Sequence, residues 1–441
     1  MGELFGTDGV RGVANKELTP ELAFRLGRAG AYVLCEGQGT IYIGRDTRVS
    51  GDMLEAALIA GICSTGADAV RLGVIPTPGV AFLTKSMGAA GGVVISASHN
   101  PVEDNGIKFF DSRGFKLDDA EESRIEAAVK DDLLIPRPTG LLVGRAYTEL
   151  QGLEKYSRHA IDTVDCDFSN LRIVVDCGYG AAWEAAPRIL RALGAEVIAM
   201  NAEPDGSKIN VNCGSTNVDA LSKAVLENKA QVGIAHDGDA DRVIAVDEKG
   251  NPVDGDAIML ICGLHLAEKG LLRNNTVVVT VMSNLGLELA FNEAGIKIHR
   301  TPVGDKYVLQ KMLEENASLG GEQSGHIIFS DYCTTGDGIV TAVQLISVMK
   351  EKGEPLSVLA RQMKKLPQTM VNVRVKDKGA AQSSDALAEA VKAAEAELGS
   401  TGRILVRPSG TEPVIRIMVE SPTDEQCVEM ADRLAAVISH Y

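Results

Sequence analysis

Short β-branched runs alternate with amphipathic helical stretches along almost the whole chain, and the alternation restarts twice. Residues 40–44 read as a strand, 52–64 as a helix and 92–95 as a buried strand. A second round runs through a strand at 171–175, a helix at 180–193 and strands at 196–199 and 232–235. A third opens with a strand at 277–281, a helix at 285–294 and a strand at 297–300. Parallel strands need crossover connections, so repeated strand-helix-strand units predict parallel or mixed sheets covered on both faces. The last segment changes character, with strands at 369–375, 404–406 and 414–419 and helices at 384–398 and 423–438, as a smaller α+β domain would show. The fold class expected is therefore α/β, with three related α/β domains and a C-terminal α+β domain. At 441 residues the chain is too long for one core. Boundaries are expected at 1–150, 151–252, 253–366 and 367–441, the last following a linker around Pro367.

Charge narrows the function classes. With 44 basic and 60 acidic side chains the formal charge is −16, which argues against nucleic acid and anionic membrane as partners. An anionic small molecule would have to be met by a few local cations. The eight cysteines are dispersed, with no C-x-x-C, as in a reduced cytoplasmic protein. No apolar run approaches the roughly 18 residues of a membrane span. Met1-Gly2-Glu3 begins no basic-then-apolar leader, so no signal peptide is expected.

Four segments carry chemistry. Ser96-Ala97-Ser98-His99-Asn100-Pro101 follows the buried strand at 92–95, and loops beyond the carboxyl ends of strands are where α/β sheets bind ligands. Pro101 fixes its own φ and biases Asn100 away from helix, so the loop is stiff and can present Ser98 as a nucleophile. A bare Ser-His pair would otherwise read as a polar turn. Asp237-Gly238-Asp239-Ala240-Asp241-Arg242 follows the strand at 232–235. Extended, its outer aspartates would lie ~13 Å apart. Gly238 allows a curl that would bring three carboxylates together, and converging carboxylates call for a cation; the other reading is a solvated acidic turn. An EF-hand is excluded because Arg242 stands where that loop needs glycine. Gly320-Gly321-Glu322-Gln323-Ser324-Gly325-His326 can read sugar hydroxyls or be a plain glycine-rich turn. Arg407-Pro408-Ser409-Gly410-Thr411-Glu412-Pro413, with Arg416, offers N–H groups, hydroxyls and guanidinium for a phosphate, or a hairpin turn. Gly178-Tyr179-Gly180 imitates a dinucleotide fingerprint, but Trp183 fills the position that must stay small. No G-x-S-x-G is present, which weakens a serine-hydrolase reading.

These segments, in this order and preceded by Phe5-Gly6-Thr7-Asp8-Gly9-Val10-Arg11-Gly12, resemble the α-D-phosphohexomutase family over essentially the whole chain. The opening through Thr19-Pro20-Glu21-Leu22-Ala23 and the loop Gly321 to His326 resemble its bacterial branch acting on glucosamine phosphates. The resemblance implies four domains around one cleft. It implies conversion of glucosamine 6-phosphate to glucosamine 1-phosphate, for cell-wall precursors, through a phosphoserine and a sugar bisphosphate. Ser98 would be the phosphorylated nucleophile. One Mg²⁺ would be held by Asp237, Asp239, Asp241 and the Ser98 phosphoryl group. Lys108, Arg11 and His99 would lie at the reacting atoms, with Lys108 a general base or acid. Arg242, Glu322, Ser324 and His326 would position the sugar, and Arg407, Ser409, Gly410, Thr411 and Arg416 the phosphate that is not reacting. A homodimer, and activation by a kinase or by self-phosphorylation, fit the same resemblance. Ala240 and Lys306 depart from the family, which often has Gly and Arg there. Rival readings are a mutase of the same family for glucose or mannose phosphates, a metal-dependent phosphatase, and a sugar-phosphate binding protein.

Overall fold

In the strand Thr40–Arg45, Ile41 and Ile43 belong to one apolar core and Tyr42, between them, to another. Val93, Ile95 and Val94 divide in the same way in the strand Gly91–Ile95. Side chains alternate across a strand, so each core lies on one face, and a sheet buried on both faces must be sandwiched between helices. The computed structural model describes residues 4–6, 8–35, 37–131, 133, 135–408 and 413–439. The chain falls into two compact units, one of residues 1–280 with 299–361, the other of residues 281–298 with 362–441.

The first unit carries three mixed sheets. One has the order β1-β5-β4-β2-β3-β6, from β1 (Val10–Val13), β2 (Thr40–Arg45), β3 (Asp68–Val74), β4 (Gly91–Ile95), β5 (Asp104–Asp111) and β6 (Ala146–Thr148). Strands β2, β3 and β4 run parallel, while β5 is antiparallel to β4 and β1. The second has the order β11-β10-β9-β7-β8, from β7 (Arg172–Asp176), β8 (Glu196–Met200), β9 (Val232–His236), β10 (Val243–Asp247) and β11 (Pro252–Val253). Here β7, β8 and β9 are parallel and β10 turns back against β9. In the third, β12 (Thr276–Thr280) lies parallel to the strand Leu319–Gly321, which pairs antiparallel with Ile327–Phe329.

In the second unit, the strand Val414–Glu420 pairs antiparallel with Gln368–Arg374 on one side and Arg403–Pro408 on the other. Leu387 and Leu398 from the helix Asp385–Leu398 and Met430 and Leu434 from the helix Asp424–Ile438 pack on Ile415, Ile417 and Val419. Residues 281–298 are tied into this unit. The Arg403 guanidinium donates to the carbonyls of Val281 and Ser283 at 3.0 and 2.9 Å, and Asn284 Oδ1 accepts from Leu366 N–H at 3.0 Å. The architecture is thus three α/β sheets followed by a C-terminal α+β part, as the hydrophobic periods predict. Among the described residues no helix is long and apolar enough to cross a membrane.

Candidate active site

The same connection recurs in all three sheets of the first unit. A parallel strand ends, a polar loop follows, and the chain returns antiparallel beside it. The loop from β4 to β5 carries Ser98, that from β9 to β10 carries Asp237, Asp239 and Asp241, and that from Leu319–Gly321 to Ile327–Phe329 carries Glu322, Ser324 and His326. Each holds a residue with left-handed backbone: Ser98 at φ 53°, Ala240 at φ 58° and Gly325 at φ 92°. A non-glycine residue in that region costs ~1–2 kcal/mol, so Ser98 and Ala240 are held there by their surroundings.

Ser98 is buried, and its Oγ donates to Asp237 Oδ2 at 2.5 Å. Nδ1 of His99 lies 3.3 Å from the same Oγ. Burial, then the charges of Arg242 and Arg11, push the His99 imidazole down to about 4, so it is neutral at physiological pH. The metal loop approaches Ser98 closely. A Cβ at Gly238 would stand 2.6 Å from the Ser98 carbonyl oxygen, so only glycine fits. The curl expected of Gly238 is made instead at Ala240, where the left-handed residue sits. Gly180, part of the false dinucleotide fingerprint, serves the same packing, since a Cβ there would lie 2.4 Å from the Gly238 carbonyl oxygen.

Asp237, Asp239 and Asp241 are buried, with one carboxylate oxygen from each lying within 4.8 Å of the others, a group able to hold a metal ion. Asp239 Oδ1 and Asp241 Oδ1 are buried with no hydrogen-bond partner, the situation a cation relieves. Burial, then repulsion from Asp241 and Asp239, holds the Asp237 carboxyl well above the usual carboxylate range. The donor set is all oxygen and hard, which suits magnesium.

Lys108 is buried on β5, its Nζ 3.1 Å from Asp239, 3.2 Å from Asp8 and 3.7 Å from Asp241. Burial alone would lower its pKa, but those three carboxylates outweigh it and the net shift is upward, so Lys108 stays an ammonium. That direction is opposite to what a general base needs. Arg11 on β1 pairs with Asp8 and lies 3.4 Å from Asn100 Oδ1. The Arg242 N–H donates to Asp237 Oδ1 at 3.2 Å, and its guanidinium lies 3.8 Å from Asp241.

In the third loop, Glu322 Oε1 accepts from Gly304 N–H at 3.2 Å and its Oε2 from Ser324 Oγ at 3.4 Å. His326 differs from a sugar-reading residue. It is buried, with Nδ1 3.5 Å from Asp241 and Nε2 3.5 Å from Asp305. Gly336 N–H donates to Nε2 at 3.1 Å, placing the ring proton on Nδ1, toward Asp241. The ring packs behind the metal loop. Lys306 pairs with Asp119 and lies 3.9 Å from Glu122.

In the second unit Arg407 and Arg416 stand opposite each other on adjacent strands. Burial, then the like charge of Arg416, pushes the Arg407 guanidinium down. Paired cations on one face suit an anion shared between them. Ser409, Gly410 and Thr411 lie outside the described residues.

Four profiles of the phosphoglucomutase/phosphomannomutase family match the chain: alpha/beta/alpha domain I over residues 2–134, domain II over 154–250, domain III over 254–366 and the C-terminal domain over 370–437. The chain belongs to this phosphohexomutase family. It is 56% identical to a phosphoglucosamine mutase of Heliobacterium modesticaldum, covering 100% of both chains, and 57% identical to that of Pelotomaculum thermopropionicum, covering 99% of both. Its fold is similar to a phosphoglucomutase/phosphomannomutase family protein of Burkholderia thailandensis, with a TM-score of 0.83 at 24% identity over 98% of this chain and 97% of that one. It is also similar to the N-acetylphosphoglucosamine mutase of Aspergillus fumigatus solved with GlcNAc-6P and magnesium, with a TM-score of 0.71 at 18% identity over 99% and 95%. This phosphohexomutase is an isomerase by family.

Around its site stand side chains that the sequence motifs leave out. Thr77 begins the helix Thr77–Ser86, and its Oγ1 donates to Asp239 Oδ2 at 2.7 Å while its N–H donates to the Asp239 carbonyl at 2.9 Å. Lys116 bridges Asp8 and Asp305. Asn210 Nδ2 donates to the Ser98 carbonyl at 2.9 Å. Asp46 and Arg48 follow β2 directly, and that position, beyond the carboxyl end of a central strand, was the available signal.

Proposed function

We propose that the chain is a phosphoglucosamine mutase, interconverting glucosamine 6-phosphate and glucosamine 1-phosphate through a phosphorylated Ser98 and a sugar bisphosphate. The observation that carries the chemistry is the buried Ser98 Oγ hydrogen-bonded to one of three clustered carboxylates. The amino-sugar assignment is supported by full-length relatives of that name at 54–57% identity. The product would feed UDP-N-acetylglucosamine and cell-wall precursor synthesis in the cytoplasm.

In the first half-reaction the phosphoryl group moves from Ser98 Oγ to a sugar hydroxyl. The bond from phosphorus to Ser98 breaks, a bond to the sugar oxygen forms, the hydroxyl proton leaves to a base and a proton is returned to Ser98 Oγ, the leaving group; the second half-reaction runs the same exchange in reverse. His99, neutral and beside Ser98 Oγ, is available as that acceptor, while Lys108 as an ammonium offsets negative charge. The bisphosphate then reorients and its other phosphoryl group returns to Ser98, so no phosphate is released. One Mg²⁺ per subunit would be held by Asp237, Asp239, Asp241 and the Ser98 phosphoryl group, and when bound it stabilises the charge on the transferring group. Arg11 and Arg242 add positive charge there. Glu322 and Ser324 would hold sugar hydroxyls, and His326 would act from behind Asp241. Arg407, Ser409, Gly410, Thr411 and Arg416 would hold the phosphate that is not reacting. The proposal includes domain limits near residues 150, 252 and 366, a homodimer, and first phosphorylation of Ser98 by a kinase or by the protein itself.

Turnover of the 6-phosphates of glucosamine, glucose and mannose, each with Mg²⁺, tests the assignment. Preference for the amino sugar is expected, and equal or better turnover of glucose or mannose phosphate would overturn it. Arg407→Ala is expected to raise KM by about tenfold or more, the scale of a lost charge-assisted phosphate contact of ~1.5–3 kcal/mol. Steady-state kinetics checks this, and an unchanged KM would remove Arg407 from the phosphate site.

A further inference from the structure

Arg48 is among the largest fully buried side chains in the protein, and every N–H of its guanidinium has an acceptor. Nε donates to Asp46 Oδ2 at 3.0 Å. Nη1 donates to the carbonyls of Asp104, at 2.9 Å, and of Pro101. Nη2 donates to the carbonyls of Ser98 and Asn100, at 3.0 and 2.9 Å. Five donors in a rigid fork thus meet five oxygens, four of them main-chain carbonyls between residues 98 and 104. Asp46 completes the arrangement from the other side. Its Oδ1 accepts from the Arg48 N–H at 2.9 Å and its Oδ2 from Ser96 Oγ at 2.6 Å, and that Ser96 hydroxyl accepts from the Ser98 N–H at 2.9 Å.

Both peptide groups of Ser98 are therefore tied to the Asp46–Arg48 pair, the N–H through Ser96 and the carbonyl directly. Ser98 stands at φ 53°, a conformation that a serine adopts only when its neighbours require it. We propose that Arg48, oriented by Asp46, is a positioning residue that holds the Ser98 loop in this conformation and so aims Oγ at Asp237 and the incoming phosphoryl group. A lysine could not replace it. Its ammonium carries three donors at one point and cannot span carbonyls spread along seven residues. The role in phosphoryl transfer rests on the mutase reading given above, whereas the geometry of the clamp does not.

The test uses the full chain with Arg48→Lys and, as a change of one small buried hydroxyl, Ser96→Ala. For Arg48→Lys, kcat is expected to fall about a hundredfold, the scale on which a ~1 Å misplacement of a reacting group acts. KM for the sugar phosphate that the parent turns over, and the calorimetric Kd for Mg²⁺ of the unphosphorylated protein, are expected to stay within about twofold, since Arg48 touches neither the three aspartates nor the loop of Glu322 and Ser324. Amide exchange in residues 96–105 is expected to quicken by about tenfold or more while residues 232–247 exchange as in the parent. Ser96→Ala should show the same pattern with a smaller fall in kcat, and it decides the question if Arg48→Lys does not fold. The clamp is overturned if kcat stays within about threefold of the parent, if exchange in 96–105 is unchanged, or if KM, Mg²⁺ affinity and kcat worsen together as for a merely structural arginine. A parent without mutase turnover would overturn the functional reading, and the exchange measurement would still decide the clamp.

Discussion

Ser98→Ala is expected to lower turnover by about 10⁴- to 10⁶-fold, as loss of a covalent nucleophile does, with the fold retained. Among the described residues, the two other hydroxyls of this network are committed elsewhere. Ser96 Oγ is committed to Asp46, and Thr77 Oγ1 to Asp239. The structural cost is small, because one hydrogen bond to Asp237 Oδ2 is lost, worth ~1.5–3 kcal/mol for a charged acceptor. In a protein of this size that amounts to a few degrees in Tm. The two readouts separate the roles: kinetics should collapse while the melting transition moves little. Retention of most activity would show that phosphoryl transfer does not pass through Ser98.

Asp239→Asn carries the second large effect. The substitution keeps the shape of the side chain and removes one of three carboxylates that each place one oxygen within 4.8 Å of the others. Mg²⁺ affinity is expected to drop by about 10²-fold or more, a loss at least as large as that on mutating an outer-shell partner of a metal. At saturating Mg²⁺, kcat is expected to remain about 10²- to 10³-fold down, because one element of charge stabilisation at the transferring group is gone. Calorimetry with Mg²⁺ and activity against Mg²⁺ concentration check both parts, and unchanged affinity would remove the triad as the metal site. In the parent, chelation of Mg²⁺ should abolish turnover reversibly. The pH dependence has a definite sign. Burial and the neighbouring aspartates hold the Asp237 carboxyl above its usual range, so its proton must leave for the site to carry full charge. Mg²⁺ binding should therefore tighten as pH rises and weaken as it falls.

The parts of this site that could be read in the sequence are those whose residues are adjacent in the chain. Ser98 and the three aspartates sit in short polar loops directly after runs of buried strand, and the change from apolar run to polar loop is visible without any fold. The period of those runs likewise carries the three α/β sheets and the C-terminal α+β part. What could not be read is assembled from distant segments. Nothing in the sequence links Asp8, Lys116 and Asp305, and only the meeting of residues 8, 116 and 305 turns them into a half-buried ion network beside Lys108. Thr77 is a helix-starting threonine until the second sheet places Asp239 against it. His326 lies in a motif that suggests a sugar hydroxyl, yet the ring turns inward between Asp241 and Asp305, a direction that the sequence does not specify. The reversed pKa of Lys108 has the same origin. Burial was the foreseeable influence, and three carboxylates from two other segments outweigh it.

The central claim is that a phosphoryl group resides on Ser98 and passes to the sugar without escaping to water. The most direct test is to follow isotopically labelled phosphate from the phosphorylated protein, with Mg²⁺ and glucosamine 6-phosphate, by intact mass and by analysis of the sugar products. Label at Ser98 should move into glucosamine bisphosphate and glucosamine 1-phosphate, with almost none as free phosphate. Release of the label as inorganic phosphate, or its retention on the protein while the sugar is isomerised, would contradict the account.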